Sequence, residues 1–125
     1  MIIHHVLILP LVVIVAAGVI HEGGHYLAAL FLTGKKLRFR FSVGWLCHGK
    51  LPVPRFVWTM PWTTDVWRRK VIALSGFGLE LLVAVVLMAV DPGSTFSRAY
   101  TLAALAHLAL YKFYATGEAS DFKWL

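Results

Sequence analysis

Residues 21–25 read His21-Glu22-Gly23-Gly24-His25, the pattern H-E-x-x-H. On a helix, residues four apart share a face, so both imidazoles can reach a single zinc ion. Glu22 follows the first imidazole and is placed to take a proton from a water that the metal polarises. Zinc brings the pKa of such a water toward about 7, which makes a nucleophile available at neutral pH. The chemistry indicated is metal-assisted hydrolysis. A catalytic zinc usually takes three protein ligands and leaves one position for water. No further His follows at the short range that soluble zincins use, so the third ligand must come from Glu80, His107, Glu118, Asp121, Cys47 or His48.

The chain around the motif is strongly apolar. Of its 125 residues, 59% are hydrophobic and 14% are charged, against about 45–50% and about 25% in an ordinary soluble domain. A globule of this size has too little interior to hide so much apolar side chain. The mean hydropathy of +0.74 therefore argues against a free-standing cytosolic protein. An aromatic content of 14% excludes a disordered chain. Cys47 is the only cysteine, so neither an internal disulfide nor a cysteine zinc cage can form. The expected class is an integral membrane protein of one domain covering 1–125.

Three spans are expected, at about 2–33, 71–90 and 99–116. The first stops at Gly34-Lys35-Lys36, the second at Asp91-Pro92-Gly93 and the third at Gly117. About 20 helical residues cover a hydrocarbon layer of about 30 Å. A cleaved signal peptide fits the N-terminus poorly, because no Lys or Arg precedes the apolar run and the run continues past Ala16-Ala17. Nine of the twelve Lys and Arg residues lie between positions 35 and 70. Cytoplasmic loops collect cations in this way, which would put the N-terminus outside, the 91–98 turn outside and the tail 117–125 in the cytoplasm. With no nucleic-acid-binding module visible, topology accounts for the net charge of +6.

The loop at 35–67 has its own pattern. Leu37, Phe39, Phe41 and Val43 alternate with Arg38, Arg40 and Ser42, as in a strand with one apolar face. A second stretch, 55–59, can pair with it, and Pro52 and Pro54 confine that partner to an edge or to its start. The fold class read from these elements is membrane, mainly α: three transmembrane helices with a small β-hairpin at the cytoplasmic surface between the first two. Trp45, Trp58, Trp62 and Trp67 fit an interfacial belt.

Three ionisable side chains inside an apolar span cost a few kcal/mol each unless they pair, face a cavity or bind a metal. Gly23 and Gly24 would let another backbone or a substrate approach closely. His21 and His25 lie toward the cytoplasmic end of the first span, and the tail lies at the same end. Asp121 is therefore the expected third ligand, ahead of Glu118 and His107, with Phe122 and Trp124 holding the tail to the bundle. Glu80, in mid-span, is expected to support the site by substrate contact or by a hydrogen bond to a ligand, or else to pair with His107.

An H-E-x-x-H within a transmembrane helix, followed by a β-rich loop and two further spans, resembles the site-2 protease family of intramembrane zinc metalloproteases. The three-helix core of that family would correspond to essentially the whole chain. The family's Gly-Pro-x-x-Asn-like element on its second helix is matched by Ser75-Gly76-Phe77-Gly78-Leu79-Glu80, with Phe for Pro and Glu for Asn. Its Asp-Gly ligand pair is matched by Asp121 in Ser120-Asp121-Phe122, without the Gly. The resemblance implies that His21, His25 and Asp121 hold one Zn2+ and that Glu22 is the general base. It implies hydrolysis of a peptide bond within or beside a transmembrane segment of a membrane-protein substrate. That segment must unwind locally, and an edge strand from 37–43 could capture it. Two other readings remain: a zinc-binding membrane protein that does not cleave, and a family member that binds transmembrane segments without catalysis. Glu22 separates the first of these, since a site that only holds metal needs no adjacent base.

Overall fold

The first apolar run forms one helix, α1, over Ile2–Thr33, with Pro10 inside it. It ends where Gly34 takes φ 67°, a left-handed conformation that suits glycine, and the Gly34 N–H still donates to the Leu30 carbonyl at 2.9 Å. The computed structural model describes residues 2–46, 49–60 and 65–113. After α1 come β1 (Arg38–Leu46), β2 (Leu51–Thr59), α2 (Val66–Val90) and α3 (Thr95–Phe113).

Both later helices start earlier than hydropathy suggests. α2 begins at Val66 rather than Val71, so Arg68, Arg69 and Lys70 belong to its first turns. Asp65 stands at its N-terminus, where the helix dipole favours a carboxylate, and pairs with Arg68 Nε at 3.1 Å. α3 begins at Thr95 rather than 99. Its start is set by Ser94, whose hydroxyl accepts from the Ser97 N–H at 3.4 Å. Arg98 Nε closes the preceding turn by donating to the Pro92 carbonyl at 2.9 Å. The expected end of this helix at 116 and the tail 117–125 lie outside the described residues.

β1 and β2 form a two-stranded antiparallel hairpin with register from Arg38↔Thr59 to Leu46↔Leu51. Gly49 in the connecting turn has φ 82°. β2 is longer than the expected 55–59 and contains both prolines, opposite Trp45 and Val43. Pro52 and Pro54 are two residues apart, so their nitrogens face the same edge of the strand. In a two-stranded sheet one edge makes no ladder bonds, and a proline there forfeits nothing.

The helices meet along ridges of four-residue spacing. On α1 the buried residues are Val13, Ala17, His21, Gly24, His25 and Ala29. On α2 they are Ile72, Ala73, Gly76, Phe77, Glu80 and Ala84. On α3, Ser97, Tyr100 and Ala104 are buried and His107 is half-buried. One apolar cluster joins Val13, Ala17, Ala84, Tyr100 and Ala104. A second joins Ala29, Leu37, Trp58, Ile72 and Ala73, beneath the hairpin. The polar residues His21, His25 and Glu80 lie between the two.

The outer faces are apolar. Val6, Leu7, Leu11, Ile14, Val15, Val19 and Phe31 on α1, and Leu82, Val85, Val86 and Val90 on α2, are exposed. Among the described residues two helices, Val6–Thr33 and Val66–Val90, are long and apolar enough to cross a membrane. α3 has 19 residues and carries Arg98, His107 and Lys112. The tryptophan belt is corrected in one member. Trp67 is exposed, but Trp58 is buried, because it packs over His25 and against Ala29, Ile72 and Ala73 on the helices; the side chain of Trp45 and all of Trp62 lie outside the described residues.

Candidate metal centre

His21 and His25 lie one turn apart on the buried ridge of α1, 3% and 0% exposed. The His25 Nδ1 is 2.7 Å from the carbonyl oxygen of Ile72 on α2. A carbonyl only accepts, so Nδ1 carries the proton and donates. In the neutral ring, Nε2 then presents a lone pair. The His21 Nδ1 is 3.0 Å from Glu80 Oε2, and the carboxylate fixes the same tautomer in His21. The two Nε2 atoms face each other at 3.1 Å.

Two lone pairs in that position repel unless a metal ion or a shared proton lies between them, and 3.1 Å suits either. Two nitrogens bound to tetrahedral zinc at about 2.05 Å would stand about 3.3 Å apart, close to the observed spacing. An imidazole whose Nδ1–H is held by a carbonyl or carboxylate while Nε2 points to a common centre is the usual arrangement of metal-binding histidines. The two nitrogens are oriented as ligands of a metal ion would be.

Glycines make the site possible. A Cβ at Gly76 would stand 2.5 Å from His25 Nε2 and 2.8 Å from His21 Nε2. A Cβ at Gly24 would collide with the backbone carbonyl of Ser75, so this glycine is what lets α1 and α2 approach. By contrast, a Cβ at Gly23 would meet nothing within 4 Å. Of the two glycines in the motif, only Gly24 is used for close packing. The Ile72 carbonyl accepts a second hydrogen bond, from the Ser75 hydroxyl at 2.6 Å.

Aromatic rings enclose the imidazoles. Trp58 lies over His25 with centroids 4.6 Å apart and planes inclined by 32°. Phe77 meets His21 edge-on at 4.3 Å, and the His107 ring is 4.6 Å from that of His21. Tyr111 packs edge-on against His107 at 4.7 Å.

Glu80 is fully buried and receives a second imidazole. The His107 Nδ1 lies 3.1 Å from Oε1 and 3.0 Å from Oε2. The ligand-type atoms of His21, Glu80 and His107 fall within 4.8 Å of one another, so this buried group could also hold a metal ion. The Glu80 backbone carbonyl accepts from the Tyr100 hydroxyl at 3.3 Å.

The sequence-predicted residues are thus placed unevenly. His21 and His25 come together. Glu22 is half-buried beside them on α1. Glu80 meets both His21 and His107. Asp121, Glu118, Cys47 and His48 lie outside the described residues. Sequence reasoning missed Trp58, Gly76 and the Ile72 carbonyl as parts of the site. Only Gly76 had a visible signal, its place in the Ser75–Glu80 segment. Comparison with protein-family models, curated proteins and solved structures finds no match.

Proposed function

We propose that the chain is an intramembrane zinc metalloprotease of the site-2 protease type. The observation that carries this reading is the convergence of His21 and His25 Nε2 at 3.1 Å, each ring locked through Nδ1, on a helix apolar enough to span a bilayer. In this reading all three helices span, the N-terminus is outside, and the basic hairpin and tail are cytoplasmic. The apolar outer faces and polar interior support it, since hydrocarbon solvates the first and not the second.

His21 and His25 hold the metal, and Asp121 from the tail completes the ligand set. Zinc held there supplies Lewis acidity and lowers the pKa of a water toward about 7. Glu22 takes the proton of the attacking water and returns it to the leaving amine. Trp58 and Phe77 keep bulk water from the imidazoles. The open strand edge of the hairpin receives the unwound substrate segment by backbone pairing.

A second reading has its own support. The His21–Glu80–His107 group could hold a metal without any adjacent base, as a non-cleaving zinc-binding membrane protein would. Zinc per chain in detergent-purified protein separates the two. The protease reading expects about one zinc, lost in His21→Ala, His25→Ala and Asp121→Ala and kept in Glu118→Ala. It further expects cleavage of a single-span substrate that Glu22→Gln abolishes. Wild type that binds no supplied zinc overturns both readings.

A further inference from the structure

We propose that Glu80 and His107 act together as a positioning pair for the metal ligand His21, rather than as ligands themselves. The inference rests on the protease reading only in taking His21 and His25 as metal ligands.

Glu80 is 0% exposed at the middle of an apolar helix. A carboxylate there is strongly disfavoured unless its oxygens receive donors. Its donors come from both other helices: His21 Nδ1 from α1 at 3.0 Å and His107 Nδ1 from α3 at 3.0 Å. The carboxylate thus accepts a hydrogen bond from the Nδ1 of each ring. A metal held by Glu80 together with those two Nδ1 atoms would have to displace both protons. His21 would then turn its remaining nitrogen, protonated, toward His25. The Nε2 pair is the arrangement that keeps every hydrogen bond described.

The two ligands are held differently. His25 donates to a neutral carbonyl, whereas His21 donates to a charged carboxylate. The charge makes the His21 hydrogen bond the stronger of the two and fixes that ring's orientation more tightly. The His107 Nδ1 spans both oxygens of Glu80, at 3.1 Å and 3.0 Å, and so stops the carboxylate from rotating away from His21. α3 therefore contributes to the metal site through Glu80 rather than by touching the metal.

The test compares wild type, Glu80→Gln and His107→Gln, with His25→Ala as the ligand control. Helical circular dichroism and detergent elution volume check folding. Zinc affinity should fall about 10–100-fold in Glu80→Gln, with stoichiometry still one per chain at saturation. His107→Gln should lose less. Cobalt-loaded Glu80→Gln should show visible bands displaced from those of wild type, a signature that looser packing alone does not produce. Nitrogen NMR of labelled histidines in metal-free wild type should show His21 in the Nδ1–H form, and His107→Gln should weaken that preference.

Unchanged affinity and cobalt bands in Glu80→Gln overturn the proposal while leaving the protease reading intact. Loss of all metal in Glu80→Gln with retention in His25→Ala also overturns it, by making Glu80 a ligand. If wild type takes up no metal, the protease reading fails. The NMR spectrum then judges the pair alone, and an Nε2–H form of His21 overturns it. Should Glu80→Gln not fold, the wild-type and His107→Gln spectra carry the same decision.

Discussion

Gly76 on α2 stands directly in front of His25 on α1, and a Cβ at this position would reach within 2.5 Å of His25 Nε2. Gly76→Ala should therefore push the imidazoles out of line. The expected outcome is loss of stoichiometric zinc and a destabilisation of about 1–3 kcal/mol from overpacking. Gly78 lies two residues on, and a Cβ there meets nothing within 4 Å. Gly78→Ala should bind zinc as wild type does. Metal analysis and thermal unfolding in detergent check both. Equal zinc binding by the two variants would show that the space at Gly76 is not needed.

Glu22→Gln should retain about one zinc per chain and lose peptide cleavage by at least about 10²–10⁴-fold, the contribution usual for a general base. The paired readout matters. Loss of metal together with activity would instead make Glu22 part of the ligand set.

Trp58 covers His25 from the hairpin. Trp58→Ala should destabilise the bundle by about 3–5 kcal/mol, as for other buried aromatic truncations, and weaken zinc binding. Trp58→Phe keeps a ring in place and should preserve most of both. Zinc titration of the two variants checks the order, and equal affinities would remove Trp58 from the site.

Cys47 is the sole thiol of the chain and lies in its basic loop. A membrane-impermeant maleimide should label it from the cytoplasmic side of sealed, oriented vesicles and not from the other. Labelling from the outer side would invert the proposed topology.

How much of this was legible depended on sequence distance. The pair His21 and His25 on α1 is local, and four-residue spacing on a helix suffices to bring the two imidazoles together. The alternation in 37–43 likewise gave β1, because strand periodicity needs only neighbours. The cost of Glu80 in an apolar helix was legible too, although not which imidazole would relieve it; His21 and His107 both do. Trp58 was misread as an interfacial residue. Its burial follows from the hairpin folding back over His25, a contact between residues 33 positions apart that no local pattern encodes. The helix starts at Val66 and Thr95 were missed because hydropathy marks where a helix becomes apolar. Asp65 and Ser94 mark where its hydrogen bonds begin.

The ridges Val13-Ala17-His21-His25-Ala29 and Ile72-Gly76-Glu80-Ala84 carry, apart from the polar residues, only aliphatic side chains and glycine. Two such surfaces could slide past each other by one rung, about 6 Å along the axis, with little change in van der Waals contact. A slip of that size would carry His21 away from Glu80 and leave the carboxylate without its α1 donor. At a position as buried as Glu80, no water would replace the lost partner. The polar cluster is therefore also the register pin of the helix pair. The same three side chains that form the buried polar cluster tell α1 and α2 where to stop.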